Sequence, residues 1–275
     1  MNVVELTKSL ISCPSVTPNN EGVLDLLQKE LTDMGFTCNR YLFSDTDTPD
    51  VDNLFAKIGS GAPHLCFGGH TDVVPVGDEN AWSSNPFEAT EKNGKLYGRG
   101  ASDMKSAIAA FVSAVREYLE NNEVKGTISL LITNDEEGPA INGTRKVLEE
   151  IYKNGEKIDS CLVGEPTCPN NLGEMIKIGR RGSMTTTIKV SGKQGHVAYP
   201  EWTLNPINPL TSILNTLCNL ELDKGTEDFP PSNMEIVKIA SSEGATNIVP
   251  QTSTGTFNIR YNINHTKESL QSMIN

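Results

Sequence analysis

The chain has only four histidines, His64, His70, His196 and His265, so any imidazole chemistry must be built from that short list. One of them, His70, belongs to a repeated arrangement in which acids or a histidine follow directly on an apolar run. Leu65-Cys-Phe-Gly-Gly69 leads into His70-Thr71-Asp72. Ile128-Ser-Leu-Leu-Ile-Thr133 leads into Asn134-Asp135-Glu136-Glu137-Gly138. Ser160-Cys-Leu-Val163 leads into Gly164-Glu165-Pro166-Thr167. A fourth segment, Leu96-Tyr-Gly-Arg-Gly-Ala-Ser-Asp103-Met-Lys-Ser106, is a glycine-rich approach to a helix and carries one aspartate. One imidazole and several carboxylates on one rim suit a borderline divalent metal such as zinc, with cobalt or manganese also suited. Two adjacent glutamates allow divided labour, one binding metal while the other takes a proton from water. A carboxylate can also bridge two ions in a co-catalytic pair. Each residue has a plainer reading when taken alone. Asp72 suits a turn cap, Asp103 a helix N-cap, Glu136-Glu137 a solvated charge pair, and His70 a satisfied core histidine.

These side chains must be positioned by regular elements, and the apolar spacing supplies them. Helical spacing marks residues 2–12, 22–34, about 103–120 and 143–153, and strand-like runs mark 36–43, 53–58, 64–69, 127–133 and 158–163. This is α/β patterning: a mixed, largely parallel sheet flanked by helices. Open α/β sheets bind ligands outside the carboxyl ends of their strands, which is where the three acid-bearing turns fall. After about residue 178 the texture changes. Residues 183–191 alternate as a half-exposed strand, a helix fits 206–220, strands fit 234–241 and 253–263, and a last helix begins near Thr266. The expected division is a metal-binding catalytic domain at 1–178 and a smaller α+β domain at 179–275 with an open-faced antiparallel sheet.

Composition narrows the function classes. Lys+Arg total 23 against 35 Asp+Glu, a formal net charge of −12, which argues against binding to nucleic acid or an anionic membrane. No apolar run approaches the roughly 20 residues of a membrane span. The amphipathic N-terminus, with Glu5 inside it, is not a signal peptide. Six cysteines without a C-x-x-C pair read as reduced structural thiols of a cytoplasmic protein. The glycine-rich segment matches neither the P-loop nor the G-x-G-x-x-G spacing, so its glycines read as a tight turn that aims Asp103.

Together, His70-Thr-Asp72-Val-Val-Pro75, Gly98-Arg-Gly-Ala-Ser-Asp103-Met-Lys-Ser106, Asp135-Glu-Glu-Gly138 and Gly164-Glu165-Pro-Thr167 resemble the di-zinc peptidase/deacylase family. The resemblance covers the whole chain, with four motifs in order. It implies two zinc ions, with cobalt or manganese an alternative for one of them, and His70, Asp103 and Glu165 on the first. Asp103 would bridge to the second, which Glu137 also holds. Glu136 would be the general base and Asp72 would orient the imidazole of His70. The resemblance further implies a homodimer formed through the small lid domain. Across that dimer His196 and Asn247 would stabilise the oxyanion, and Arg180, Tyr199 and Arg260 would grip a small-molecule substrate carrying carboxylates.

Lys177-Ile-Gly-Arg-Arg-Gly-Ser183 with Gln194-Gly-His196-Val-Ala-Tyr199-Pro200 points, within the family, to its desuccinylase branch. That branch implies hydrolysis of N-succinyl-LL-2,6-diaminopimelate, in lysine and diaminopimelate synthesis. Deacetylation of N-acetylornithine or a related N-acyl amino acid is the neighbouring reading. A non-catalytic relative that binds an amino-acid-like ligand or acts through its dimer surface is the reading from another class; loss of Glu136 or Asp103 would mark it, and both are present. Family members continue further and return to the catalytic domain with a last histidine on the second metal. Since His265 lacks the surroundings of that ligand, the chain is expected to be a C-terminally truncated fragment with an incomplete second site.

Overall fold

The computed structural model describes residues 1–274, and the chain divides into two units, Met1–Leu172 and the residues from Gly173 onward. The division falls ahead of the one expected at residue 178.

In the first unit, α1 (Val3–Ile11) starts at Asn2, whose side chain accepts the Glu5 N–H. α2 (Val23–Asp33) follows. The strands are β1 (Thr37–Asp45), β2 (Thr48–Ser60), β3 (His64–His70) and a small hairpin of β4 (Thr90–Lys92) and β5 (Lys95–Tyr97). Then come α3 (Ser106–Asn121), β6 (Gly126–Thr133), α4 (Thr144–Lys153) and β7 (Ser160–Val163). Five strands form one mixed sheet in the order β1-β2-β6-β3-β7. β6, β3 and β7 run parallel, and β1 and β2 join antiparallel.

Strand alternation divides the apolar residues between two faces. Leu54, Ala56, Phe67, Leu130 and Ile132 meet α1, α2 and α3 through Leu6, Leu10, Leu24, Leu27, Leu31, Ile108 and Val112. Phe55, Cys66 and Leu131 point the other way, onto Val147 and Ile151 of α4. Side chains this size contribute roughly 1.5–3 kcal/mol each when fully buried, so helices cover and stabilise both faces of the sheet. The parallel pairing puts the carboxyl ends of β3, β6 and β7 on one rim, with His70 opposite Thr133 and Gly68 opposite Val163.

The second unit contains β8 (Gly182–Ser191), β9 (Gly195–His196), α5 (Ile207–Cys218), β10 (Asn233–Ser241), β11 (Ile248–Val249), β12 (Thr252–Tyr261) and α6 (Lys267–Ile274). Its three-stranded antiparallel sheet has the order β10-β12-β8. One face carries Met184, Phe257 and Ile259 against Leu210, Leu214 and Leu217 of α5 and Leu270 of α6. The alternating residues Ser183, Thr185, Thr187 and Lys189 are exposed on the other face. β9 pairs with β11, placing His196 opposite Ile248. Among the described residues, no helix is long and apolar enough to cross a membrane.

One element differs from the expectation in a way that matters. The helix expected from Asp103 begins at Ser106. Ala101–Lys105 form an irregular turn in which Asp103 is extended, at φ −126° and ψ 102°. Asp103 is therefore not the N-cap of α3, whose cap position is Lys105 and carries no side-chain cap bond. The carboxylate is spent elsewhere.

Candidate metal centre

Met104 brings Asp103 to the rim. Its side chain is fully buried in space left by two glycines on neighbouring strand ends. A Cβ at Gly69 would lie 2.7 Å from Met104 Cε, and one at Gly164 would lie 2.8 Å from the same atom and 2.5 Å from Phe67 Cζ. The His70 N–H also points at Met104 Sδ, 3.3 Å away. With Met104 seated against β3 and the start of the Glu165 turn, its neighbour Asp103 can only stand over the rim. Propensity alone would put this aspartate on the helix; packing of the next residue overrides it.

His70 is buried, and its two nitrogens have different partners. Nδ1 lies 2.9 Å from the Asp72 backbone carbonyl, an acceptor, so Nδ1 carries a hydrogen. Nε2 faces acids: Asp103 Oδ1 at 3.1 Å, Glu165 Oε1 at 3.4 Å and Glu136 Oε2 at 4.0 Å. Burial alone pushes the imidazole toward the neutral form. The adjoining Asp72 carboxylate and carbonyl, with the Glu165 charge, outweigh burial and raise the pKa to about 9. Asp72 was expected to orient the ring. Its carbonyl makes the close bond, and the carboxylate stands 3.5 Å from Nδ1. That carboxylate, itself buried, accepts the N–H groups of Glu136, at 3.1 Å, and Glu137, at 2.9 Å. One aspartate therefore ties the histidine turn to the double-glutamate turn.

The glutamate turn is held from below by Asp135, which accepts the N–H groups of Ala140, Ile141 and Asn142 at 2.9–3.1 Å. Donor atoms of His70, Asp103 and Glu165 lie within 4.8 Å of one another, as do those of His70, Glu136 and Glu137. The first set coincides with the ligands expected for one ion. The second groups Glu137 with His70 and Glu136, whereas the resemblance pairs it with Asp103. Burial, then the Asp103 charge, raises the pKa of both Glu137 and Glu165. Like charges gathered this closely penalise their own ionisation. An oxygen-rich donor set with one imidazole fits a divalent cation, which would remove that penalty.

The remaining expected residues lie in the second unit. His196 Nδ1 lies 3.1 Å from the Ala198 N–H, and its Nε2 lies 3.3 Å from the Asn247 side-chain amide. Tyr199 stacks on Trp202 with ring centroids 5.3 Å apart and tilts against His196 at 5.8 Å. Arg180 and Arg260 are exposed. Trp202 was not foreseen, nor was Lys105, which is fully buried and donates to the Cys13 carbonyl at 2.7 Å. A lysine just ahead of an amphipathic helix reads as solvent-exposed, and no local pattern marks it otherwise. His265 stands 3.3 Å from Asp223 Oδ2 and 3.1 Å from the Leu222 carbonyl, within the second unit.

Residues 66–266 match the sequence profile of Peptidase family M20/M25/M40. The chain is 53% identical over 267 residues to the succinyl-diaminopimelate desuccinylase of Parvibaculum lavamentivorans, covering 97% of this chain and 67% of that protein. It is 52% identical to the enzyme of that name from Rhodospirillum centenum, covering 98% of this chain and 70% of that protein. For the one from Pelagibacter ubique the identity is 51%, over 100% of this chain and 72% of that protein. Among solved structures, an M20 metallo-carboxypeptidase from Sulfolobus solfataricus superposes with a TM-score of 0.80 at 19% identity, covering 100% of this chain and 74% of that one. A dipeptidase from Saccharomyces cerevisiae gives 0.70 at 17%, covering 99% and 72%. These two establish likeness of fold.

Proposed function

The chain belongs to peptidase family M20/M25/M40, and from that premise we propose that it is a metal-dependent hydrolase of the amide in N-succinyl-LL-2,6-diaminopimelate, releasing succinate and LL-2,6-diaminopimelate. The observation that carries this reading is the convergence of His70, Asp103, Glu165, Glu136 and Glu137 on one rim, in a chain just over half identical to enzymes of that name. His70, Asp103 and Glu165 would hold one divalent ion, zinc or in its place cobalt or manganese. Asp103 and Glu137 would contribute to a second. A cation bound there supplies Lewis acidity, acidifying water and polarising an amide carbonyl.

The chain's own groups do the rest. The Asp72 carbonyl keeps the hydrogen of His70 on Nδ1 and so frees Nε2 for the site. The Asp72 carboxylate holds the backbone of Glu136 and Glu137 in place. Glu136, held off the first donor set, takes a proton from the attacking water and delivers it to the departing amine, so water is split across the amide and no other reactant is needed. His196, with the Asn247 amide beside it, would donate to the oxyanion. That donation, with the grip of Arg180, Tyr199 and Arg260 on the substrate carboxylates, is assigned to a homodimer acting on a small molecule. A cytoplasmic setting accords with six cysteines that carry no C-x-x-C pattern.

The test is a comparison of kcat/KM for N-succinyl-LL-2,6-diaminopimelate and N-acetylornithine in zinc-replete protein, with metal content measured on the same sample. Preference for the succinyl substrate is expected. Preference for the acetyl substrate would move the assignment to a deacetylase, and turnover that survives complete metal removal would end the metal-dependent reading.

A further inference from the structure

We propose that the segment Cys13–Asn19, which contributes no expected ligand, is a brace that sets the spacing of the three loops carrying His70, Asp103 and Glu136-Glu137, with Lys105 as its principal positioning residue. The proposal rests on the metal-site reading above. The segment, Cys13-Pro-Ser-Val-Thr-Pro-Asn19, joins α1 to α2 and has two prolines, so its backbone is stiff and its polar groups are free to bond outward.

Those groups reach all three loops. Toward the Asp103 turn, Lys105 Nζ donates to the Cys13 carbonyl at 2.7 Å. Toward the His70 turn, Ser15 Oγ donates to the Thr71 carbonyl at 2.7 Å. There the Val73 N–H also donates to the Ser15 carbonyl, and the Thr17 N–H to the Val73 carbonyl, each at 3.0 Å. Toward the glutamate turn, buried Asn134 donates to the carbonyls of Asn19, at 2.7 Å, and Pro18, at 3.3 Å. The amide oxygen of Asn134 accepts the Thr71 hydroxyl at 3.0 Å, closing a loop of bonds among strap, histidine turn and glutamate turn. Gly138 completes the fit, since a Cβ there would lie 2.6 Å from Thr17 Oγ1.

Each contact falls one or two residues from a proposed catalytic group. Thr71 adjoins His70, Lys105 follows Asp103 by two, Asn134 precedes Glu136 by two, and Gly138 adjoins Glu137. A displacement of the strap therefore passes to the donor atoms with little slack. The choice of lysine at position 105 is itself informative. Its side chain is fully buried, where an apolar chain of similar length packs without desolvating a charge. The ammonium adds a charge-assisted bond to the strap, stronger than a neutral one. Space for it comes from Gly100, at φ +79°, where a Cβ would meet Lys105 Cδ at 3.1 Å and Val73 Cγ1 at 2.9 Å.

The test uses the 275-residue chain with Lys105→Met, Ser15→Ala and, as a packing control in α2, Leu27→Ala. Cobalt(II) binding is followed by calorimetry and by the visible spectrum of the bound ion, and the metal-free melting midpoint is recorded for each variant. Lys105→Met is expected to weaken cobalt binding about 10–100-fold, the range for groups that orient metal ligands, and to shift the visible bands. Ser15→Ala should do the same to a smaller degree. Leu27→Ala should lower the melting midpoint and leave the bands where they are. Wild-type affinity and bands in Lys105→Met would overturn the proposal. If that variant does not fold, unchanged affinity and bands in Ser15→Ala would overturn it. If the unaltered chain binds no cobalt, the metal-site reading fails and the brace with it. Cobalt binding by the wild type that Lys105→Met leaves intact rejects the brace alone.

Discussion

Among the described residues, His70 faces several carboxylates in the first unit and His265 faces one in the second, and the two clusters solve the same electrostatic problem in opposite ways. In the second unit, Asp223 accepts the Gly225 N–H at 2.6 Å, the Ser232 N–H at 3.2 Å and the Asn262 amide at 2.7 Å, with His265 beside it. Burial pushes its pKa up, but those donors outweigh burial and hold the carboxylate well below its ordinary range. On the rim of the first unit, Glu137 and Glu165 also feel burial, and there the neighbouring charge is another carboxylate, so both are pushed up. Asp223 is satisfied by protein hydrogens and clasps the 223–232 loop to Asn262. The rim acids are short of positive charge, and that shortage is what a cation site needs. Direction of shift separates clasp from site better than residue type does, because both clusters contain the same kinds of side chain.

The comparison can be broken most forcefully at Glu136. Glu136→Gln should leave metal content unchanged and lower kcat by roughly 10²–10⁴-fold, the worth of a general base. Steady-state kinetics with metal analysis on the same sample would check this, and near-normal turnover would remove Glu136 from the chemistry. At the clasp, Asp223→Asn turns one acceptor oxygen into an amide donor that faces donors. It should cost roughly 1–3 kcal/mol of stability, the price of unsatisfied buried polar groups, without touching metal affinity. Denaturant unfolding measures it.

The pH dependence of that loss sharpens the contrast. The folded pKa of Asp223 lies below the unfolded value of about 3.9. Its stabilisation is therefore fully present above that unfolded value and is lost as pH falls through the folded one. The gap in melting midpoint between wild type and Asp223→Asn should stay constant from pH 7 to about pH 5 and narrow below about pH 4. A gap that widens in acid would contradict the clasp. The smallest effect is expected on the rim. Since the fold disfavours the ionised form of Glu137, Glu137→Gln should leave the metal-free melting midpoint level or slightly raised at neutral pH. It should also shrink the rise that zinc produces. A clear drop in the metal-free protein would mean that Glu137 is a clasp of the Asp223 kind.

Much of the first unit was legible before any coordinates. Apolar runs ending in His70, Glu136 and Glu165 mark strand ends, and parallel pairing of β3, β6 and β7 carries those ends to one rim because consecutive α/β connections leave the chain little choice. Asp103 was legible as a candidate for the rim but not in its local form. Its type and the helix behind it argue for an N-cap, and only the seating of Met104 between Gly69 and Gly164 shows why it is extended. Asp72 was legible as a partner of His70, but not that its carbonyl makes the close bond while its carboxylate holds the glutamate turn. Lys105 and Asn134 were within reach only of the structure, since a buried lysine and a bridging asparagine have no periodicity of their own.

The residues able to do chemistry, the strands that carry them and the change of texture between the two units follow from side-chain type and from periods of 2 and 3.6, which are local properties. How Asp103 reaches the acids depends on the packing of Met104 between Gly69 and Gly164, and that a proline-rich strap touches three loops depends on hydrogen bonds between residues as far as 116 positions apart. Contacts at that separation are decided by how the sheet brings its strand ends together, so only the tertiary structure decides them.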